Sequence, residues 1–224
     1  MKPVLKRLVI ILGVLSLSLL TSCGSKKQEK EATPKEEEKV KIVGNKFYVE
    51  PLQPTNEQSK AYNQLSEAIS KEDSKEEAKY VAVSFAYDFF MLSNKKNGND
   101  IGGLQFIPSD KIKPFMEYAQ SYYYSNYETI VNEYGKSSLP EVTSVSVDAI
   151  ENRTFTYNKG DSEGYLVKLQ LTYKDTKVQK LKKTMSVSLV RIQDFAYDRS
   201  KDYKGEVIHE DEMKNVYRVL AVED

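Results

Sequence analysis

The sequence predicts an α+β domain in which N-terminal helices pack on a curved antiparallel sheet. Three observations carry this. Between Thr55 and Tyr134 apolar residues recur at three- and four-residue intervals. From Val145 onward they alternate at period two. The alternating segments are polar on their second face. Helices first and one-sided strands after is the pattern of helices gathered on one face of an antiparallel sheet, not of alternating βαβ units. The chain has 224 residues, 40% of them hydrophobic and 11% aromatic, enough to build a core. That length suits one domain of about 150 residues with extensions.

Taken in order, Val40 to Val49 (VKIVGNKFYV) holds two β-like runs around Gly44-Asn45 and reads as a hairpin, after which Pro51 and Pro54 break the chain. Thr55-x-x-Gln58 is a capping box ahead of Ala61, Tyr62, Leu65, Ala68 and Ile69, which predicts a helix of about 15 residues. Ser74-x-x-Glu77 reads as a second capping box. It opens a helix with Ala78, Val81, Phe85, Phe89 and Leu92 on one face, widened by Ala82, Ala86 and Phe90 and stopped at Asn94 to Gly98. So wide an apolar stripe implies deep burial. Asp100 to Pro108 (DIGGLQFIP) reads as an apolar connection tucked against the core, with Gly102-Gly103 as a turn. A third helix runs from Ile112 to Tyr134, bends near Ser125 and ends at Gly135, a C′ glycine. Period two then takes over. Val145, Val147 and Ala149 alternate, followed by Phe155 and Tyr157. Tyr165, Val167, Leu169, Leu171 and Tyr173 line one face of the next strand. Met185, Val187 and Leu189 repeat the pattern with a phase slip at Leu189-Val190, and Asn215 to Val222 forms the last strand.

The first 23 residues carry the sharpest motif. Lys2, Lys6 and Arg7 precede the apolar run Leu8 to Leu20. At 1.5 Å per residue that run spans about 20 Å, short of the roughly 30 Å hydrocarbon core, so it reads as a signal-peptide segment. Leu20-Thr21-Ser22-Cys23 follows directly and resembles the lipobox of bacterial lipoproteins: an aliphatic residue, two small residues and the modified cysteine. The resemblance implies cleavage after Ser22 and attachment of diacylglycerol, with membrane localisation on the extracytoplasmic face. Each buried CH₂ contributes about 0.8 kcal/mol, so two acyl chains hold stably where one is marginal. Ser25 to Lys39 (SKKQEKEATPKEEEK) has no apolar residue beyond Ala32 and reads as a disordered tether. The predicted organisation is therefore 1–22 signal peptide, 23–39 lipidated cysteine and tether, 40–73 N-terminal extension and 74–224 the α+β domain.

Two or three helices followed by four or five curved antiparallel strands is similar to the NTF2-like cone, a plan shared by the extracytoplasmic VirB8-like domains of conjugation and secretion machines. The resemblance covers residues 74–224 and rests on element order. It implies a pocket between helices and concave sheet face, or that same face used for dimerisation, which makes a second copy of the chain a partner. NTF2-like enzymes place a His or Asp pair in the cone, and here the only histidine, His209, lies elsewhere.

Composition narrows the chemistry. The chain has 33 basic and 33 acidic groups, and losing residues 1–22 removes Lys2, Lys6 and Arg7 to leave the mature protein slightly acidic. No nucleic-acid partner is expected of such a balance. One cysteine excludes an internal disulfide and a multi-cysteine metal site, and one histidine excludes a three-histidine zinc site. No Walker or Rossmann glycine fingerprint occurs, so no cofactor is expected. His209, Glu210 and Glu212 are too close in sequence to converge on a metal without further ligands. Tyr118, Tyr122, Tyr123, Tyr124 and Tyr127 crowd one helix; Tyr118, Tyr122, Tyr123 and Tyr127 are the candidate ligand or partner surface, the alternative being packing at the core edge. Asp88, inside SFAYDFF, is a candidate pocket acid or a residue on the wet side of its helix. Arg191 and Arg218 fall in strands, where they can pair with acids, hold an anion or face solvent. With no nucleophile–base or metal constellation, an enzyme is not expected. The expected function is a membrane-anchored binding or scaffold module of an envelope assembly, after the manner of a VirB8-like transfer or secretion component. The alternative is a small-molecule-binding lipoprotein with an aromatic-lined pocket.

Overall fold

The computed structural model describes residues 38–209 and 211–224. The signal segment, the lipobox at Cys23 and the tether as far as residue 37 lie outside the described residues, as does Glu210.

Helix α1 (Asn56–Ser70) starts as its capping box predicts: the Gln58 amide donates to the Thr55 hydroxyl and the Thr55 amide to the Gln58 side chain, both at 3.2 Å. Residues 40–49 do not form the predicted hairpin. They form no strand, and side chains of α1 take their backbone groups. Asn56 accepts from the Val40 amide, Asn63 bonds both the Val43 amide and the Lys41 carbonyl, and Ser66 donates to the Val43 carbonyl. Asn45 accepts from the amides of Phe47 and Tyr48, so it makes a local turn and not a hairpin loop. Helix side chains thus replace a ladder partner, an outcome that β-like composition cannot distinguish.

Helix α2 (Ser74–Phe90) is the central element, packed on α1 and touching all four strands. Ala78, Val81, Ala82, Phe85 and Ala86 are completely buried, as the wide stripe requires. Its cap is Asp73, which accepts from the Glu76 amide at 3.0 Å, so the Ser74/Glu77 capping box is displaced by one residue. Ser74 and Glu77 have other partners, described below. The helix ends at Phe90, earlier than predicted, because the amides of Leu92 and Ser93 turn to the Pro140 carbonyl. Residues 101–108 are all buried, and Gly103 takes φ 78°, which glycine alone accommodates without strain.

The third predicted helix is two helices, α3 (Ile112–Ala119) and α4 (Asn126–Tyr134), joined by a π-turn at Gln120–Tyr124. The break precedes the predicted bend at Ser125. Gly135 ends α4 at φ 84°, its amide bonded to the Val131 carbonyl at 3.0 Å.

The sheet is an antiparallel meander in the order β1-β2-β3-β4: β1 (Val142–Tyr157), β2 (Gly160–Tyr173), β3 (Thr184–Asp194) and β4 (Lys214–Glu223). This is the predicted α+β class. Register places Val167 opposite Val187 and Leu169 opposite Met185 on the core side. The predicted slip at Leu189-Val190 appears as a register shift between Ser188 and Leu189 in the β3–β4 pairing, and burial then passes to Val190, Ile192 and Asp194 on the other face. Bulges of this kind bend a strand. Gly164 sits at the same level, where an added Cβ would lie 1.9 Å from the Leu189 carbonyl oxygen, so the strands approach too closely for any side chain. Residues 38–73 belong to the same compact unit as the rest of the described chain.

Candidate functional site

The tyrosine-rich helix divides sharply. Tyr118 and Tyr122 are 61% and 71% exposed, their rings 4.6 Å apart. Tyr127 is buried and Tyr123 is partly buried against the core. Tyr123 stacks on Phe89 at 5.3 Å and donates to the Phe90 carbonyl at 3.0 Å; buried Tyr127 donates to the Lys95 carbonyl at 3.0 Å. Tyr124, fully buried, donates to the Phe89 carbonyl at 2.8 Å and accepts from the Gly102 amide at 2.9 Å. The π-turn reduces the angle between successive residues and lets adjacent Tyr123 and Tyr124 both face α2. Burial raises the phenol pKa of both. These three rings fasten the loop after α2; Tyr118 and Tyr122 are what is left of the candidate surface.

Asp88 is half-buried near the C-terminal end of α2. One carboxylate oxygen takes the Lys95 ammonium at 2.8 Å and the other the Gly103 amide at 2.8 Å. An added Cβ on Gly102 would lie 2.1 Å from the Asp88 carbonyl oxygen. Asp88 is therefore committed to holding the loop, with no oxygen left unpartnered.

A second region emerges only in three dimensions. Asn152 pairs with Tyr165, Thr154 with Glu163, and Arg191 with Tyr217. Two-residue steps keep all of these on the face that carries Val167, Leu169, Val187 and Leu189 deeper in the core. Helix α2 covers that face as far as Ser74. Beyond it lies an open groove of about 520 Å³ lined by Ser74, Asn152, Thr154, Tyr165, Arg191 and Tyr217. Tyr165 and Tyr217 stand 5.9 Å apart, and the Arg191 guanidinium lies over the Tyr217 ring at 5.3 Å. Its one hydrogen bond among the described residues goes to the Ser74 hydroxyl at 2.9 Å, and Ser74 also bonds the Tyr217 hydroxyl at 2.7 Å.

Beneath the groove, Glu77 is buried. Its carboxylate is 3.9 Å from Arg191 and 3.5 Å from the Tyr48 hydroxyl, which bonds both the amide and carbonyl of Tyr217. Loss of solvent raises the Glu77 pKa, with Arg191 and the Tyr48 hydroxyl pulling it partly back. Burial likewise drives the Tyr48 phenol far up. Arg218 passes over the Tyr48 ring at 5.8 Å and is itself buried, its Nε donating to Asp194 at 2.7 Å and Nη2 to the Phe195 carbonyl at 2.8 Å. Arg218 is thus a core ion pair and not a solvent-facing charge.

His209 stacks flat on Phe195 with ring centroids 4.1 Å apart. Among the described residues no group of three or more His, Cys, Asp or Glu side chains is placed to hold a metal. No described helix is long and apolar enough to cross a membrane. The sequence signal for the groove is Arg191, which interrupts an apolar strand; Arg191 and Tyr165 hold the core phase of their strands yet reach solvent, while Tyr217 beside them is buried.

No family model, curated protein or solved structure matches the chain.

Proposed function

We propose that this chain is a bacterial lipoprotein held on the extracytoplasmic face of the cell membrane by acyl groups on Cys23, and that its folded part is an NTF2-like binding module of an envelope assembly. The observation that carries the binding reading is the groove beyond Ser74, where the sheet's core-side face runs on without a helix to cover it. Helices followed by a bulged antiparallel meander support the cone-like plan, with this groove as its mouth. Leu20-Thr21-Ser22-Cys23, placed directly after the apolar run, supports the anchor. The occupant is a segment of a partner protein lying along the strands, and the partnership with a transfer or secretion machine of the VirB8-like kind belongs to the same proposal.

A second reading has its own observation. Arg191 lies over one tyrosine and near another, with the remaining guanidinium donors unpartnered among the described residues. A planar organic anion would stack on the partly exposed Tyr165 ring and accept those donors.

Crosslinking the full chain in intact cells and purifying it from membranes tests the proposal. The expected result is recurrent recovery of a defined partner, abolished by Arg191→Glu, with Cys23→Ala releasing the protein from the membrane fraction. Recovery of the protein alone, or a partner indifferent to Arg191→Glu, contradicts the groove. A Cys23→Ala variant that stays membrane-bound with unchanged processing contradicts the anchor.

A further inference from the structure

The opposite end of α2 carries a different cavity. A cleft of about 250 Å³ opens between the loop after α2 and the chain around Gln53 and Arg199. Sites for drug-sized ligands run from roughly 300 Å³ upward, so this one suits a compact molecule and not a peptide chain. Its base is the Asp88–Lys95 pair, the lysine side chain 7% exposed. Both Asp88 oxygens are used, by Lys95 and by the Gly103 amide, so the base is rigid and internally satisfied.

The groups around the base are not satisfied. Asn94 Oδ1 is buried with no hydrogen-bond partner among the described residues, a costly state for an amide oxygen. Asp100 spends one carboxylate oxygen on the Lys96 amide, and the other has no hydrogen bond among the described residues. On the positive side, Arg199 donates once, to the Glu50 carbonyl at 2.7 Å, and its other N–H groups have no partner among the described residues. Lys96 lines the same cleft. Gln53, also in the wall, holds φ at 46°, a left-handed conformation that non-glycine residues adopt under strain and that recurs at ligand sites.

These groups sort the ligand classes. A divalent cation would meet three cationic side chains, Lys95, Lys96 and Arg199. A simple anion would satisfy Arg199 but leave the Asn94 oxygen without a donor, and a simple amine would do the reverse. We propose that this cleft binds a small zwitterion of the free α-amino acid type, its carboxylate on Arg199 and Lys96 and its ammonium on Asn94 Oδ1 and Asp100. The site is separate from the groove, and neither depends on the other.

Isothermal titration of the detergent-solubilised full chain with each proteinogenic L-amino acid tests it, followed by the matched amine and the matched carboxylic acid of the best binder. The expected result is saturable binding of at least one amino acid, with each half-ligand weaker by about tenfold to a hundredfold, the loss that goes with one charge-assisted hydrogen-bonded group. Arg199→Gln and Asn94→Leu should weaken binding by a similar factor, and Asn94→Asp, which keeps the acceptor, should retain it even if Asn94→Leu does not fold. Tyr122→Ser, at an exposed position away from the cleft, should leave it unchanged. Absence of binding by every amino acid overturns the proposal. So does a carboxylic acid that binds as well as its amino acid, or an affinity unmoved by Arg199→Gln.

Discussion

Helix α2 carries a carboxylate near each end, and the two are held in opposite ways. At the N-terminal end, Glu77 is buried under the groove with only the Tyr48 hydroxyl at 3.5 Å and Arg191 at 3.9 Å beside it. At the C-terminal end, Asp88 is partly exposed yet has two close bonds, to Lys95 and Gly103, both supplied by the next few turns of chain. The first is desolvated and poorly compensated, and the second is well compensated and half in water. Burial dominates where partners are distant; local hydrogen bonds dominate where the chain doubles back. Each end also borders a cavity, an aromatic groove at Glu77 and a charged cleft at Asp88, so the difference in chemistry extends to what each can bind.

The largest expected effect lies in the network around Glu77. Asp194→Ala leaves the Arg218 guanidinium buried without its counter-charge and should cost about 3–5 kcal/mol, read from the denaturant midpoint. Loss at the other end should be smaller. Asp88→Ala removes two bonds to a partly exposed carboxylate and leaves the Lys95 ammonium at the wall of the open cleft, where water can reach it, so it should cost about 1.5–3 kcal/mol by the same measurement. An effect at Asp88 exceeding that at Asp194 would invert the comparison.

The pH dependence sharpens it further. Because burial raises the Glu77 pKa, the folded state binds its proton more tightly than the unfolded chain does. Stability from this group is full below the ordinary glutamate range and falls as pH rises through it toward the raised value. Glu77→Gln should flatten that part of the profile of stability against pH, measured by urea unfolding across the acid range; an unchanged slope would remove Glu77 as its source. The smallest effect is expected at the surface. Tyr122→Ser should change stability by no more than about 0.5 kcal/mol. Tyr124→Phe, two residues on, loses bonds to Phe89 and Gly102 and should cost about 1–3 kcal/mol.

The same contrast explains what sequence reading reaches. Asp88 stood out because it breaks an apolar helix face, and its partners are local, so its position could be argued from spacing. Glu77 matches half of a capping box in Ser-x-x-Glu, but its neighbours in the fold, Tyr48 and Arg191, come from distant parts of the chain. The class of fold was legible because periodicity is a local property, and so were the Thr55 cap, the Gly135 stop and the slip near Leu189. The tyrosines were legible as a cluster but not by face, since the π-turn at Gln120–Tyr124 shifts the helical phase. Asn94 and Arg199 carry no sequence signal, because an unpartnered atom is defined only by what surrounds it.

The central claim, that the open end of the sheet is where this protein engages its partner, is tested most directly by site-specific photocrosslinking of the full chain in cells. A photoreactive residue in place of Thr154, in the groove, should give one discrete adduct that disappears with Arg191→Glu, and one in place of exposed Tyr134 on α4 should give none. Adducts from position 134 with none from 154, or adducts at 154 that survive Arg191→Glu, would contradict it.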